Sequence, residues 1–97
     1  MADNRTETFY IVAYDIPSDK RRTKVHKLLC GYGTWTQFSL FECSLSEKQY
    51  LELRFRLAQH LKEAEDRVRF YVLCKSCHGR SETLEGGLPQ EPDLFLV

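Results

Sequence analysis

The sequence lacks the bulk features that would announce a function. Its 14 basic and 14 acidic residues cancel to a formal net charge of zero, so no global field draws it to a polyanion or a membrane surface. The longest apolar run is the six residues Phe9–Tyr14, far short of the roughly 20 needed to cross a bilayer. Residues 1–8 are polar and carry both charges, unlike the apolar stretch of a secretory signal. The expected location is therefore the cytoplasm, with no membrane partner, and the four cysteines are expected as reduced thiols. There is no repeat and no low-complexity block. With 97 residues the chain makes one domain with a limited core, a size at which oligomerisation is a common remedy. A hydrophobic content of 42% excludes disorder.

The neutral total hides a sharp asymmetry. Lys20 to Phe41 holds five basic residues and no acidic one, whereas His78 to the end holds four acids (Glu82, Glu85, Glu91, Asp93) against the single Arg80. The chain thus carries a basic segment and an acidic tail.

Periodicity supplies the elements. Phe9–Tyr14 is aromatic and β-branched and stops at Pro17, which predicts a strand; without alternation, both of its faces should be covered. Ser18 or Asp19 caps a helix running to about Cys30. Val25, Leu28, Leu29 and Tyr32 form its apolar face, and Lys20, Lys24 and Lys27 form a basic stripe. Gly31-Tyr32-Gly33 ends it. Thr34–Cys43 is rich in strand formers but has no Gly, Pro, Asn or Asp to turn it, so it is either a bent strand or a cramped hairpin. Ser46-Glu47-Lys48-Gln49 fits a capping box and Leu45 with Tyr50 a hydrophobic staple; Tyr50, Leu53, Leu57, Leu61 and Ala64 then trace one helix face. Arg67–Cys74 reads as a second buried strand. Residues 75–92 form a polar connector, and Leu94–Val97 is a short strand-like run. The boundaries are a polar tail at 1–8, a domain at 9–78, and a connector with a C-terminal strand at 79–97.

This order predicts an α+β sandwich with two helices on one face of a small sheet. Two helices cover one face only, so a second copy of the chain is the simplest cover for the other. Leu94–Val97 is then free to pair with a sheet edge, its own or the partner's.

Several fragments carry a resemblance. Tyr14-Asp15-Ile16 closes the first strand and Lys20-Arg21-Arg22 opens the first helix. Leu29 and Tyr32-Gly33 follow, then Gln37-Phe38-Ser39-Leu40-Phe41-Glu42 and Asp66-Arg67-Val68-Arg69-Phe70-Tyr71. In this order and spacing they resemble the CRISPR-associated protein two family over roughly residues 9–74. The resemblance implies a ferredoxin-like βαββαβ fold, a symmetric homodimer and a place beside the integrase subunit, protein one, in capturing DNA spacers. It also implies a metal-dependent endonuclease acting on single-stranded RNA or double-stranded DNA, and/or a structural adaptor of the integrase complex, a role for which nuclease activity is dispensable. Toxin-like endoribonucleases share the fold, which keeps a stand-alone ribonuclease as the alternative.

Asp15 is the leading site residue, as catalytic group and as ligand to Mg²⁺, which prefers hard oxygen donors; its bland reading is a helix-start acceptor. Two Asp15 facing across a dimer axis would share one ion and activate water for phosphodiester cleavage. Asp19 is a weaker second carboxylate and reads better as a cap. Arg21 and Arg22 are candidates for catalysis and for bidentate phosphate contacts, with Lys20, Lys24 and Lys27 binding the backbone non-specifically, against the reading of a solvated helix face. Tyr14 and Phe41 fall on positions that the resemblance places near the active site, core packing being the plainer reading of Phe41. Gln37 and Ser39, by alternation on one side of a strand, line the site or the dimer interface. RNA-active members of the family often carry a basic residue before that glutamine, where this chain has Trp35-Thr36; Trp35 either stacks a base or packs. Cys74-Lys75-Ser76-Cys77-His78 spells a haem-attachment motif, but export and axial-ligand context are missing. Zinc would need four ligands, so two ordinary thiols are expected.

Overall fold

The computed structural model describes residues 7–84. The apolar run becomes strand β1, Thr8–Asp15, and its side chains alternate in burial although its composition does not. Tyr10, Val12 and Tyr14 are buried on one face, while Phe9, Ile11 and Ala13 are half-buried on the other. Pro17 follows the strand, and Ser18 rather than Asp19 caps helix α1, Asp19–Cys30, its hydroxyl accepting the Arg21 N–H at 3.3 Å. Val25 and Leu29 are wholly buried, and Leu28 and Tyr32 pack partly against the same core. Gly33 then brings the chain against the sheet. A Cβ there would lie 2.4 Å from both Cys43 Sγ and the Glu42 carbonyl oxygen, so only glycine allows this approach.

Thr34–Cys43 resolves as the cramped hairpin. Strand β2, Thr34–Gln37, pairs antiparallel with β3, Leu40–Leu45, with a bulge between Trp35 and Gln37. The turn is the two residues Phe38 and Ser39, and Phe38 takes the left-handed conformation at φ 44°. A non-glycine residue there costs roughly 1–2 kcal/mol. Three hydrogen bonds hold the turn: Trp35 Nε1 donates to the Phe38 carbonyl (2.8 Å), Thr36 Oγ1 to the Leu40 carbonyl (3.2 Å), and the Tyr14 N–H to the Ser39 carbonyl (3.1 Å).

Helix α2, Glu47–Ala58, starts with the predicted capping box, Ser46 and Gln49 each bonding the other's backbone N–H. It buries Leu53 and Leu57, but it ends before Leu61 and Ala64, which were expected to extend the same face. The backbone turns at Lys62–Asp66 because the Asp66 carboxylate accepts the Lys62 N–H at 2.8 Å. Strand β4, Arg67–Leu73, then pairs with β1 in antiparallel register from Asp15↔Arg67 to Phe9↔Leu73. A single turn of helix, α3 (Lys75–Gly79), follows. The expected connector and strand beyond residue 84, including Leu94–Val97, lie outside the described residues.

The sheet order is β2-β3-β1-β4, all antiparallel, with α1 and α2 on one face. This is the ferredoxin-like βαββαβ fold. The core lies between sheet and helices: Tyr10, Val12, Tyr14, Phe41, Cys43 and Leu45 from the strands meet Val25, Leu29, Leu53 and Leu57. Neither α1 nor α2 covers the opposite face, which is apolar at its centre, where Ile11 pairs with Tyr71 and Phe9 with Leu73. Among the described residues α3 alone reaches it, His78 stacking on Phe9 with ring centroids 3.7 Å apart. In a single chain Tyr71 is half exposed, so the expectation that β4 is covered on both faces is not met within one copy.

Leu53→Ala removes a wholly buried side chain and is expected to lower unfolding free energy by about 2–5 kcal/mol. Leu51→Ala, on the exposed side of the same helix, should stay within about 0.5 kcal/mol. Urea denaturation of both variants measures the difference.

Candidate active site and nucleic-acid interface

Strand alternation separates two residues that are adjacent in sequence. Asp15, the last residue of β1, is exposed and lies on the open face, in register with Arg67 of β4. Tyr14, its neighbour, is buried on the helix face, and its hydroxyl lies 3.0 Å from His26 Nδ1. Burial is the main cause that raises the Tyr14 pKa above the usual phenol value, against a smaller opposing effect of Arg22. The phenol therefore keeps its proton at neutral pH and holds the His26 ring through a hydrogen bond at Nδ1. Tyr14 and Asp15 do not share a site within one chain.

Phe41 is wholly buried, its ring edge-on to His26 at 5.1 Å. It meets no solvent, so its contribution is to support the His26 and Tyr14 rings rather than to touch a substrate. His26 itself escaped the sequence reading. Its only signal was its place next to Val25 on the apolar edge of a basic helix.

The two arginines are engaged differently from what their charge suggested. Arg21 grips Asp66 with a two-pronged fork, Nε to Oδ2 at 2.7 Å and Nη2 to Oδ1 at 3.0 Å, and Nη2 also donates to Glu65 at 3.0 Å. The Asp66 side chain is wholly buried. A bidentate phosphate contact would require this fork, so Arg21 acts as a structural tie from α1 to the turn before β4. Arg21, followed by the Lys62 N–H, holds the Asp66 carboxyl below the usual carboxylate range against the opposing effect of desolvation. Arg22 is pinned at the β1–α1 turn by its Nη1 donating to the Ile16 carbonyl at 2.8 Å, with Nη2 paired to Asp19. That pairing also commits the Asp19 carboxylate.

Lys20, Lys24 and Lys27 are exposed along α1, and none ion-pairs with another described residue. They are the cations of this helix left for a phosphate backbone. Gln37 and Ser39 do not lie on one side of a strand: the chain turns between them. Gln37 ends the edge strand β2, while Ser39 sits in the turn beside α1.

Among the described residues no group of three or more His, Cys, Asp and Glu side chains could hold a metal ion. One Asp15 offers a single hard ligand, and Mg²⁺ commonly takes one or two carboxylates with water and substrate phosphate completing its shell. A pair of Asp15 residues, one from each of two chains, fits that donor set. The Cys74-to-His78 motif begins α3: Cys74 Sγ accepts the Cys77 N–H at 3.3 Å. Hydrogen bonds, first from Ser76 and then from Cys77, lower the Cys74 thiol pKa to about 7.

The Arg21–Asp66 tie makes stability depend on pH. A carboxylate whose folded pKa is depressed adds stability above its unfolded pKa of about 3.9 and loses it as pH falls through that value toward the folded one. Asp66→Asn is therefore expected to be markedly less stable than wild type near neutrality, and the gap should narrow toward about pH 3. Urea midpoints measured at both pH values provide the check.

Comparison with known proteins agrees with this geometry. The family model for CRISPR associated protein Cas2 matches residues 8–81. A CRISPR-associated endoribonuclease Cas2 of Chloroflexus aurantiacus is 42% identical over 92 residues, covering 92% of this chain and 99% of that one. The crystal structure of Streptococcus pyogenes Cas2 superposes with a TM-score of 0.71 at 36% identity, covering 79% of this chain and 99% of that one. A chain of a partial Cas6-RT-Cas1–Cas2 complex superposes with a TM-score of 0.70 at 31% identity, covering 79% of this chain and 90% of that chain. With the βαββαβ topology, these matches establish that the chain belongs to the Cas2 family of CRISPR associated proteins.

Proposed function

We propose that the protein is a homodimeric, Mg²⁺-dependent endonuclease that binds nucleic acid and serves with a Cas1-type integrase in spacer acquisition. The observation that carries the reading is the position of Asp15: an exposed carboxylate at the end of β1, on the sheet face opposite α1 and α2. Burying the apolar centre of that face, Ile11, Tyr71 and Leu73, against a second copy would remove it from water. The same pairing would bring two Asp15 residues to one interface.

The residues divide the work by position. The two Asp15 carboxylates would hold one Mg²⁺. When bound, the ion lowers the pKa of its water and offsets charge on the phosphate. Hydrolysis joins the water oxygen to phosphorus and breaks one P–O ester bond, leaving a phosphate monoester and a hydroxyl. Lys20, Lys24 and Lys27 bind the phosphate backbone without reading sequence. Arg22 stands at the turn between Asp15 and the stripe. Arg21, tied to Asp66, positions the start of α1.

Relatives support the two halves of this reading. The Chloroflexus protein is named an endoribonuclease and a Thermus thermophilus relative, 43% identical over 89 residues, an endonuclease, which supports a nuclease. The partial Cas6-RT-Cas1–Cas2 complex supports a Cas1 partner. Among the described residues no helix is long and apolar enough to cross a membrane.

Wild type and Asp15→Ala, incubated with labelled single-stranded RNA and duplex DNA in magnesium and in EDTA, test the enzyme half. Cleavage should need both magnesium and Asp15, while Asp15→Ala keeps its affinity for duplex DNA. Equal cleavage by the two proteins would contradict the role given to Asp15.

A further inference from the structure

On the helix face, away from Asp15, the fold encloses a second feature. A cleft of about 540 Å³ opens between α1 and the β2–β3 turn, lined by Tyr14, Arg22, Thr23, His26, Lys27, Phe38 and Ser39. Its volume is in the range of small-ligand sites. We propose that this cleft binds one unpaired nucleotide of a single strand, its base against Phe38 and its phosphate on Lys27. The proposal rests on the nucleic-acid reading of α1 and adds to it a second site and a strand type.

Three observations converge on it. First, one wall carries the exposed Lys27, which ion-pairs with no described residue, and the lining contains no carboxylate; Arg22, on the same wall, is held by Asp19 and the Ile16 carbonyl. Second, His26 is held in place. Its Nδ1 is taken by the Tyr14 hydroxyl at 3.0 Å, and its ring stands edge-on to Phe41 at 5.1 Å and Trp35 at 6.1 Å. That leaves Nε2 as the ring nitrogen that can meet a ligand. Third, the other wall is an aromatic that folding alone does not justify. Phe38 is 85% exposed and takes a left-handed backbone at φ 44°. It neither buries its ring nor relaxes its backbone, a combination that marks a residue kept for contact rather than for stability.

Trp35 belongs to the same device. It is half exposed, and its indole N–H is bonded to the Phe38 carbonyl at 2.8 Å, so both rings ride on one turn. Aromatic side chains beside a cationic groove are the usual platform for single-stranded nucleic acid, because every base has a face to stack. A duplex keeps its bases stacked on one another and cannot offer one to Phe38, so the lysine stripe alone would serve duplex DNA.

The sequence holds one tryptophan, so intrinsic fluorescence reports directly from the rim of the cleft. Wild type, Phe38→Gly, Phe38→Leu and Phe38→Tyr would be titrated with a short oligouridylate and with a duplex DNA at one fixed salt concentration. Emission from Trp35 and anisotropy of labelled oligonucleotide would both be followed. The oligouridylate should change Trp35 emission. Phe38→Gly, which relieves the backbone, should melt no lower than wild type yet bind the single strand about tenfold more weakly. Phe38→Leu, which keeps bulk and backbone but not the flat ring, should lose affinity likewise; Phe38→Tyr should retain it. Duplex affinity should be the same for all four. If the Gly and Leu variants bind the single strand as wild type does, the cleft proposal is overturned while the lysine-stripe reading stands. If wild type binds neither oligonucleotide, both are overturned.

Discussion

Much of the structure hangs on the grip of Arg21 on Asp66. The carboxylate is wholly buried and meets the guanidinium through two parallel hydrogen bonds. It also accepts the Lys62 N–H, which sets the turn leaving α2. Asp66 immediately precedes Arg67, the residue that pairs in register with Asp15 at the end of β1. One buried ion pair therefore fixes the start of α1, the exit from α2 and the entry to β4. Removing one partner would strand the other charge out of water, which is why such a pair ties elements together even where it adds little net stability.

The second organising fact is the unequal treatment of the two sheet faces. The helix face receives Tyr10, Val12 and Tyr14 from β1 and closes a dry core with α1 and α2. The other face keeps Ile11, Tyr71 and Leu73 on the side away from α1 and α2. A sheet this small does not expose such a patch without consequence. Alternation along β1 then sends Tyr14 and Asp15 in opposite directions. The proposed chemistry of Asp15 belongs to an interface between copies, whereas Tyr14 and His26 belong to a cleft within one chain.

What could be read from the sequence was what local physics decides. The capping box at Ser46 and Gln49, the Pro17 stop and the apolar faces of both helices are short-range signals, and the structure keeps them. The even composition of β1 correctly indicated that its second face is apolar. The hairpin was undecidable, because what holds its turn is the Trp35 indole, the Thr36 hydroxyl and the Tyr14 amide rather than a turn-forming residue. The expected alignment of Gln37 with Ser39 failed for the same reason. Arg21 read as a phosphate ligand because its partner lies 45 residues further on, beyond the reach of any local pattern. Asp15 was singled out through the family resemblance; its exposure on the open face came only from the strand register.

The central claim is that the active site is assembled from two copies. Mixing wild-type and Asp15→Ala chains, refolded together in varied proportions, tests it most directly through the rate of magnesium-dependent cleavage. If each site needs both carboxylates, activity falls with the square of the wild-type fraction. A fall in simple proportion to that fraction would mean that one Asp15 suffices, and would contradict a site shared across the open faces.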